Sequence, residues 1–563
     1  MKVVIIGGVA GGASAAARLR RLDENAEIVI FERSGYISYA NCGLPYYVGG
    51  VIEDREDLTL QTPMSFWRRF RIDARVRHEV TEIDRAGKFV VVRDLESGNI
   101  FRENYDKLIL SPGAHPVVPD LPGKESDKIY TLRTVEDTLR LRESAVRKGA
   151  NSAVVIGGGF IGVETAENLR EIGLDVTLIQ RSEHILPPID ADMAGFLHAH
   201  LRENGIKLLL KTDVKGFSEK GGKIGVLPGD GSSLCADMVV LAVGILPESS
   251  LAKAAGLELG VKGSIAVNDY MQTSDPDIYA VGDAVSITDI VTGEKAVIAL
   301  AGPANKQGRI AADNIAGLKR RYTGSAAASV LKIFDMTAAF VGINEKTAKK
   351  IGLKYDKVIL SPASHASYYP GGRVMTMKVL FEKESERILG AQIVGFDGVD
   401  KRIDVIATAM QAGMKISRLA ELDLAYAPPY SSAKDPVNMA GFIAQNVIEG
   451  RVKQFFYEDL ENLPKDGSVV LLDTRTAGEY ARGHAEGFET HIPLDELRGR
   501  LSELDKNKPV YVMCQSGLRS YLACRILAQE GFTCYNFAGG YRFYESVKNA
   551  RFAKNSFTSC GVK

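Results

Sequence analysis

Apolar residues in this chain gather in short runs closed by glycine or turn residues. KVVII, Lys2 to Ile6, passes into a glycine-rich turn, then a helix-like ASAAARLRRL, then the apolar run EIVIF. That order predicts strand, tight turn, helix, strand. SAVVI, Ser152 to Ile156, starts a second copy, with a glycine turn, TAENLREIG and the run DVTLI. Further strands are predicted in YDKLILSPG, MVVLAVG and DIYAVGDA. A later α/β segment opens at SVLKIFDMT. Toward the C-terminus SVVLLDTR and PVYVMC read as strands and SYLACRILAQEGF as a helix, a separate small α/β unit.

The glycine turns carry chemistry. Glycines let a backbone approach a pyrophosphate, and the following helix N-terminus offers free N–H groups and a positive dipole end. In the first copy the candidates are Gly7, Gly8, Gly11 and Gly12, with Val9 in the middle position of the GxGxxG register. Glu32 ends the next strand, where an acid can bind a ribose hydroxyl. The second copy has Gly157, Gly159 and Gly162 in full register, and Gln180 takes the place of Glu32. Gln180 carries no charge to repel a 2′-phosphate and Arg181 follows it, which leaves NADH and NADPH both open. In TSDPDIYAVGDA, Asp283 closes a strand and can bond a flavin ribityl or pyrophosphate group. YDKLILSPGAHPVVPDLPG and MVVLAVGILPES read as two strand-and-loop connectors, as expected if one nucleotide domain is inserted into another.

The bulk numbers narrow the classes. The 563 residues suit several domains. Lysine plus arginine and aspartate plus glutamate balance at 70 each, which argues against nucleic acid or a membrane surface as a charge-driven partner. The apolar run at the N-terminus is short and broken by glycines, so no signal peptide is expected, and a cytoplasmic location is. The 6 cysteines lie far apart, without zinc spacing, so no metal site is expected. His198 and His200 read as surface residues on a helix.

SYANCGLPYY, Ser38 to Tyr47, holds a single cysteine, Cys42. Gly43 and Pro45 suit the start of a helix, a place that lowers a thiol pKa. With the paired fingerprints and this stretch, the chain resembles the pyridine nucleotide–disulfide reductase family. NCGLPY in particular resembles the coenzyme A disulfide reductases of its single-cysteine branch, which also contains NADH oxidases and peroxidases. The resemblance implies FAD on the first fingerprint, with Arg33 and Ala301 among its contacts, and a nicotinamide on the second. It implies Cys42 as the redox residue. It also implies Tyr368 and Tyr426 as phenols near the other subunit's cysteine, with Tyr369 and Tyr430 as their nearest rivals. Ser38, Tyr39, Asn41 and Arg20 are the expected coenzyme A contacts.

The C-terminal unit resembles a rhodanese domain in Asp473 and Arg475, Glu479, Gly483 and His484, the loop Cys514 to Arg519, and Ala538 to Gly540. That loop can gather backbone N–H groups around sulfur, and Arg519 adds positive charge. It is one residue shorter than the related loop of cysteine phosphatases, which suits sulfur over phosphate. Asp473 and Arg475 are expected as a buried ion pair, and Cys524 and Cys534 as core residues. Cys560 lies in the tail.

The expected fold is α/β throughout, with two Rossmann-like dinucleotide-binding domains, a dimerisation domain and a C-terminal rhodanese domain. The expected boundaries are 1–112 with 266–322 for FAD, 113–265 for NAD(P)H, 323–445 for dimerisation, 446–457 as linker and 458–563 for rhodanese. The whole pattern resembles coenzyme A disulfide reductase–rhodanese fusions. It implies a homodimer, favours NADH over NADPH, and implies reduction of persulfides, polysulfides or coenzyme A disulfide to sulfide or free thiol. Two rival readings are an NADH oxidase or peroxidase using a cysteine sulfenate, and a flavin redox sensor with a rhodanese docking module.

Overall fold

The computed structural model describes residues 1–552, and Cys560 lies outside the described residues. The chain forms two compact units. The first comprises Met1–Ser182 and Gly205–Ala327, the second Glu183–Asn204 and residues 328–552.

The first unit holds two parallel five-stranded sheets built alike. In one, Lys2–Ile6 lies between Glu27–Glu32 and Lys107–Leu110, flanked by Asp73–Val76 and Ile278–Ala280. In the other, Ser152–Ile156 lies between Asp175–Ile179 and Met238–Leu241, flanked by Lys207–Leu209 and Ile129–Tyr130. Each central strand is almost wholly buried, as expected of parallel sheets covered on both faces. The two connectors pair with one another: Ala114–Pro116 runs antiparallel to Ile245–Pro247. The chain therefore leaves the first sheet and returns to it through a single two-stranded ribbon.

The second unit holds an antiparallel five-stranded sheet in the order Ser329–Ile333, Met336–Gly342, Ile388–Gly395, Thr376–Glu382, Tyr355–Leu360. It also holds a parallel sheet centred on Val510–Met513, with Cys534–Phe537 and Val470–Asp473 as its neighbours. The strand Gln454–Phe455 pairs with Asn536–Phe537 at the edge of this last sheet. Part of the stretch expected as linker is thus sheet, and the helix Pro436–Ile448 runs into its other end.

The surface reading of His198 and His200 is corrected. Both sit on the helix Ala191–Glu203 and are buried. That helix packs against the helix Gly540–Phe552 as well as against the antiparallel sheet, so it has little solvent face. Burial first, then Arg202 and His184, holds the His198 imidazole down to about 3. It is therefore neutral, and its Nε2 faces the Ile185 N–H at 3.3 Å.

Candidate active sites

Both fingerprints have the backbone shape that a dinucleotide needs. Gly7 and Gly157 have φ of +92° and +109°, which glycine adopts without strain. A β-carbon on Gly12 would run into the Gly7 carbonyl, and one on Gly162 into the Gly157 carbonyl. The helices that follow, Ala10–Leu22 and Phe160–Glu171, have no side-chain cap and no acid in the first turn. Their N–H groups and dipoles are left for a phosphate. The strand-end residues do matching work: the Glu32 carboxylate accepts from the Gly8 N–H at 2.9 Å and the Gln180 side-chain amide oxygen from the Gly158 N–H at 3.0 Å. Burial pushes the Glu32 carboxyl above its usual range, against the N–H bonds from Gly8 and Ser34. These residues fit FAD and a nicotinamide nucleotide. Ala301 begins the helix Ala301–Ile315, which packs against Ala10–Leu22, and Arg33 is exposed beside Glu32.

Cys42 lies in the short turn Asn41–Gly43, which leads into the helix Leu44–Val48 with proline in its first turn. This is the placement the local sequence predicts. The electrostatics differ from the expectation. Cys42 is open to solvent on one side, yet packed closely enough that desolvation raises its thiol above the ordinary value, and Glu164 and Asp283 raise it further. Only Arg133 opposes them. A helix of 5 residues contributes too little dipole to reverse the balance.

Two residues that the sequence does not single out organise this site. Arg133 bonds Asp283 at 2.8 Å. In the amide orientation that satisfies both its groups, Asn41 donates to the Arg133 carbonyl at 2.9 Å and accepts from Nη1 at 3.1 Å. Arg133 thereby ties the neighbour of Cys42 to the acid at the end of the Ile278–Ala280 strand. Glu164, on the second fingerprint helix, accepts a hydrogen bond from the Tyr46 hydroxyl at 3.2 Å. Burial pushes its carboxyl up to about 7, Glu167 adds to this, and the Tyr46 bond works against it. Its position two residues past Gly162 is the one sequence signal that could have drawn notice.

A pH dependence follows. As pH rises through about 7, Glu164 becomes an anion facing Cys42 and disfavours the thiolate. Glu164→Gln removes that charge. Alkylation of Cys42 by iodoacetamide at pH 8 should then be faster by about threefold or more, and the inflection near neutrality should vanish from its pH profile. An unchanged profile would mean that Glu164 does not control the thiol.

The other expected residues fall into two groups. Ser38 has φ +50°; its N–H donates to the Gly8 carbonyl at 2.8 Å, which links the fingerprint to the cysteine loop. Tyr39 stays in that loop, bridged to Thr59. Arg20 is not free to meet a ligand. Its guanidinium is buried and donates to the carbonyls of Phe70, Asp23, Glu24 and Arg71 at 2.7–3.1 Å, closing the C-terminal ends of two helices. In the second unit, Tyr368 and Tyr426 are exposed and their hydroxyls lie 2.6 Å apart, a pairing that Tyr369 and Tyr430 do not share. Tyr369 instead packs edge-on against His365.

In the C-terminal sheet, the strand Val510–Met513 delivers Cys514 into a loop that ends in the helix Leu518–Gln529. Cys514 is fully buried. Its sulfur receives the Gly517 N–H and the Ser520 hydroxyl, each at 3.2 Å. One backbone N–H and one hydroxyl thus reach the sulfur. Gly540, at φ +69°, lets its chain pass against the loop, where a β-carbon would meet the Cys514 carbonyl and the Ser516 nitrogen. Asp473 and Arg475 form the expected buried pair at 2.8 Å, and Arg475 also donates to the Gly483 carbonyl at 2.7 Å. The Tyr541 ring lies 3.9 Å from the Arg475 guanidinium, and Tyr480 stacks between His484 and His491. Cys524 and Cys534 are buried in the core.

Family models agree with this architecture. Residues 1–308 match the pyridine nucleotide-disulphide oxidoreductase model, 328–436 the dimerisation domain of that family, and 456–546 the rhodanese-like domain. This chain belongs to the pyridine nucleotide-disulphide oxidoreductase family and carries a C-terminal rhodanese-like domain. It is 37% identical over 447 residues to the coenzyme A disulfide reductase of Staphylococcus haemolyticus, covering 79% of this chain and 100% of that protein. The crystal structure of reduced Bacillus anthracis CoADR-RHD matches with a TM-score of 0.95 and 47% identity over 98% of each chain. The NAD-dependent persulfide reductase from A. fulgidus matches with a TM-score of 0.91 and 40% identity over 97% of this chain and 100% of that one. Membership implies FAD and NAD(P)H as cofactors.

Proposed function

We propose that this protein is a cytoplasmic, homodimeric, NADH-dependent flavoenzyme that reduces persulfides and coenzyme A disulfide or persulfide, releasing sulfide or free thiol. The observation that carries this reading is the union, in one chain, of a lone solvent-open thiol among dinucleotide fingerprints with a second thiol seated in a sulfur-sized loop. The likeness to a coenzyme A disulfide reductase and to a persulfide reductase over most of the chain supports it.

FAD held at the Gly7–Gly12 turn would supply the electron pair for sulfur reduction, drawn from a nicotinamide held at the Gly157–Gly162 turn. Cys42 attacks the substrate sulfur and holds it as a mixed disulfide or persulfide. Asn41 and Arg133 fix the position of its turn. Across a homodimer, the paired phenols of Tyr368 and Tyr426 serve the Cys42 of the other subunit by giving a proton to the departing thiolate. Cys514 accepts sulfane sulfur and makes it available for reduction. Glu32 and Gln180 hold their glycine loops in shape for the two nucleotides.

The test is anaerobic NADH oxidation with coenzyme A persulfide, for the wild type, Cys42→Ser and Cys514→Ser, with sulfide followed in parallel. Loss of turnover in the first variant and a fall of about tenfold or more in the second are expected. Full activity in Cys514→Ser would remove that residue from the pathway. Turnover of peroxide in place of sulfur substrates would make the protein a peroxidase.

A further inference from the structure

The sulfur loop is less positive than its sequence implies. Both oxygens of the Glu479 carboxylate accept from Arg519, each at 2.7 Å. The Arg519 hydrogen bonds, foremost among several causes, hold the Glu479 carboxyl down to about 2, so it faces Arg519 as an anion at any working pH. Arg475 is matched in the same way by Asp473. The donors that reach the Cys514 sulfur, an N–H and a hydroxyl, are neutral. Leu518, within the loop itself, and Leu522, one turn later, are 64% and 43% exposed. The arginine that closes the loop is thus already neutralised, and the first turns of the helix after Gly517 carry two exposed apolar side chains.

We infer that Glu479 is a specificity-determining residue: its two-pronged pairing with Arg519 makes the Cys514 site select organic persulfides and singly charged sulfur donors over the thiosulfate dianion. This rests on the reading of Cys514 as a sulfur acceptor. In the step concerned, the Cys514 thiolate attacks the outer sulfur of the donor. A new S–S bond forms, the donor's own bond to that sulfur breaks, and the leaving thiolate, sulfinate or sulfite departs with the electron pair. No outside oxidant is needed, and cyanide can then remove the sulfur as thiocyanate.

Glu479 also caps the helix Ala477–Ala481 by accepting from Thr476. Glutamine can keep that role in a capping box, so Glu479→Gln removes the charge and keeps the cap. Thr476→Ala loosens the cap and leaves the charge. The experiment uses the full-length, flavin-loaded protein without NADH and follows thiocyanate formation. The donors are thiosulfate and methanethiosulfonate, which differ by one charge. The wild type should favour methanethiosulfonate. Glu479→Gln should raise kcat/KM for thiosulfate by about tenfold or more, with a new fall at high salt, and leave methanethiosulfonate nearly unchanged. Thr476→Ala should leave the donor ratio as in the wild type. Equal changes for both donors in Glu479→Gln, or the same ratio shift in Thr476→Ala, would overturn the inference. Transfer that survives in Cys514→Ser would instead overturn the sulfur-acceptor reading beneath it.

Discussion

Cys42→Ser is expected to lower NADH-dependent reduction of coenzyme A disulfide and persulfide by about a thousandfold or more while flavin stays bound. Serine fits the same space, so the Asn41–Arg133 contacts and the turn that carries residue 42 should persist. What disappears is the one atom able to form and release an S–S bond there. Cys514, Cys524 and Cys534 are buried in the C-terminal domain and do not stand in for it. Flavin absorbance and steady-state rates on one preparation decide the matter. A variant without flavin would show Cys42 to be structural. A variant within tenfold of the wild type would place the electron acceptor elsewhere.

The second large effect concerns stability. Asp473→Ala should destabilise the C-terminal domain by about 3–5 kcal/mol, because it leaves a buried guanidinium without its counter-charge. Arg475 is 1% exposed, and all its remaining partners are neutral: the Gly483 and Glu479 carbonyls, the Gln515 amide and the Tyr541 ring. A loss of that size is a large share of a domain's total stability. Calorimetry on the full chain should show the transition of this domain moving to lower temperature, and sulfur transfer at Cys514 failing with it. A transition that stays put would mean that Arg475 finds water or another acceptor when Asp473 is gone.

Chemistry carried by contiguous residues is legible in the sequence alone. Gly7 and Gly12, or Gly157 and Gly162, meet within one turn, so their spacing encodes the close approach seen in the fold. The same holds for Cys42 ahead of Gly43 and Pro45, and for Cys514 at a strand-to-helix turn. The nearness of Asp473 to Arg475 in sequence makes their pairing readable as well. Arg20 misleads because a basic residue near a phosphate motif looks the same whether it faces a ligand or closes helix ends.

The sequence by itself therefore determined the α/β class, the two nucleotide-binding turns and the two reactive thiols, since each is a local backbone geometry demanded by adjacent residue types. Only the tertiary structure decided which charges face those thiols. Glu164 reaches Tyr46 across 118 positions, Arg133 reaches Asp283 across 150, and Glu479 reaches Arg519 across 40. It also decided that His198 and His200 are buried, by laying a second helix over theirs. Periodicity shows that a helix has faces but does not say what will cover them. A thiol's pKa and a loop's net charge are set by whatever the folded chain brings within a few ångströms.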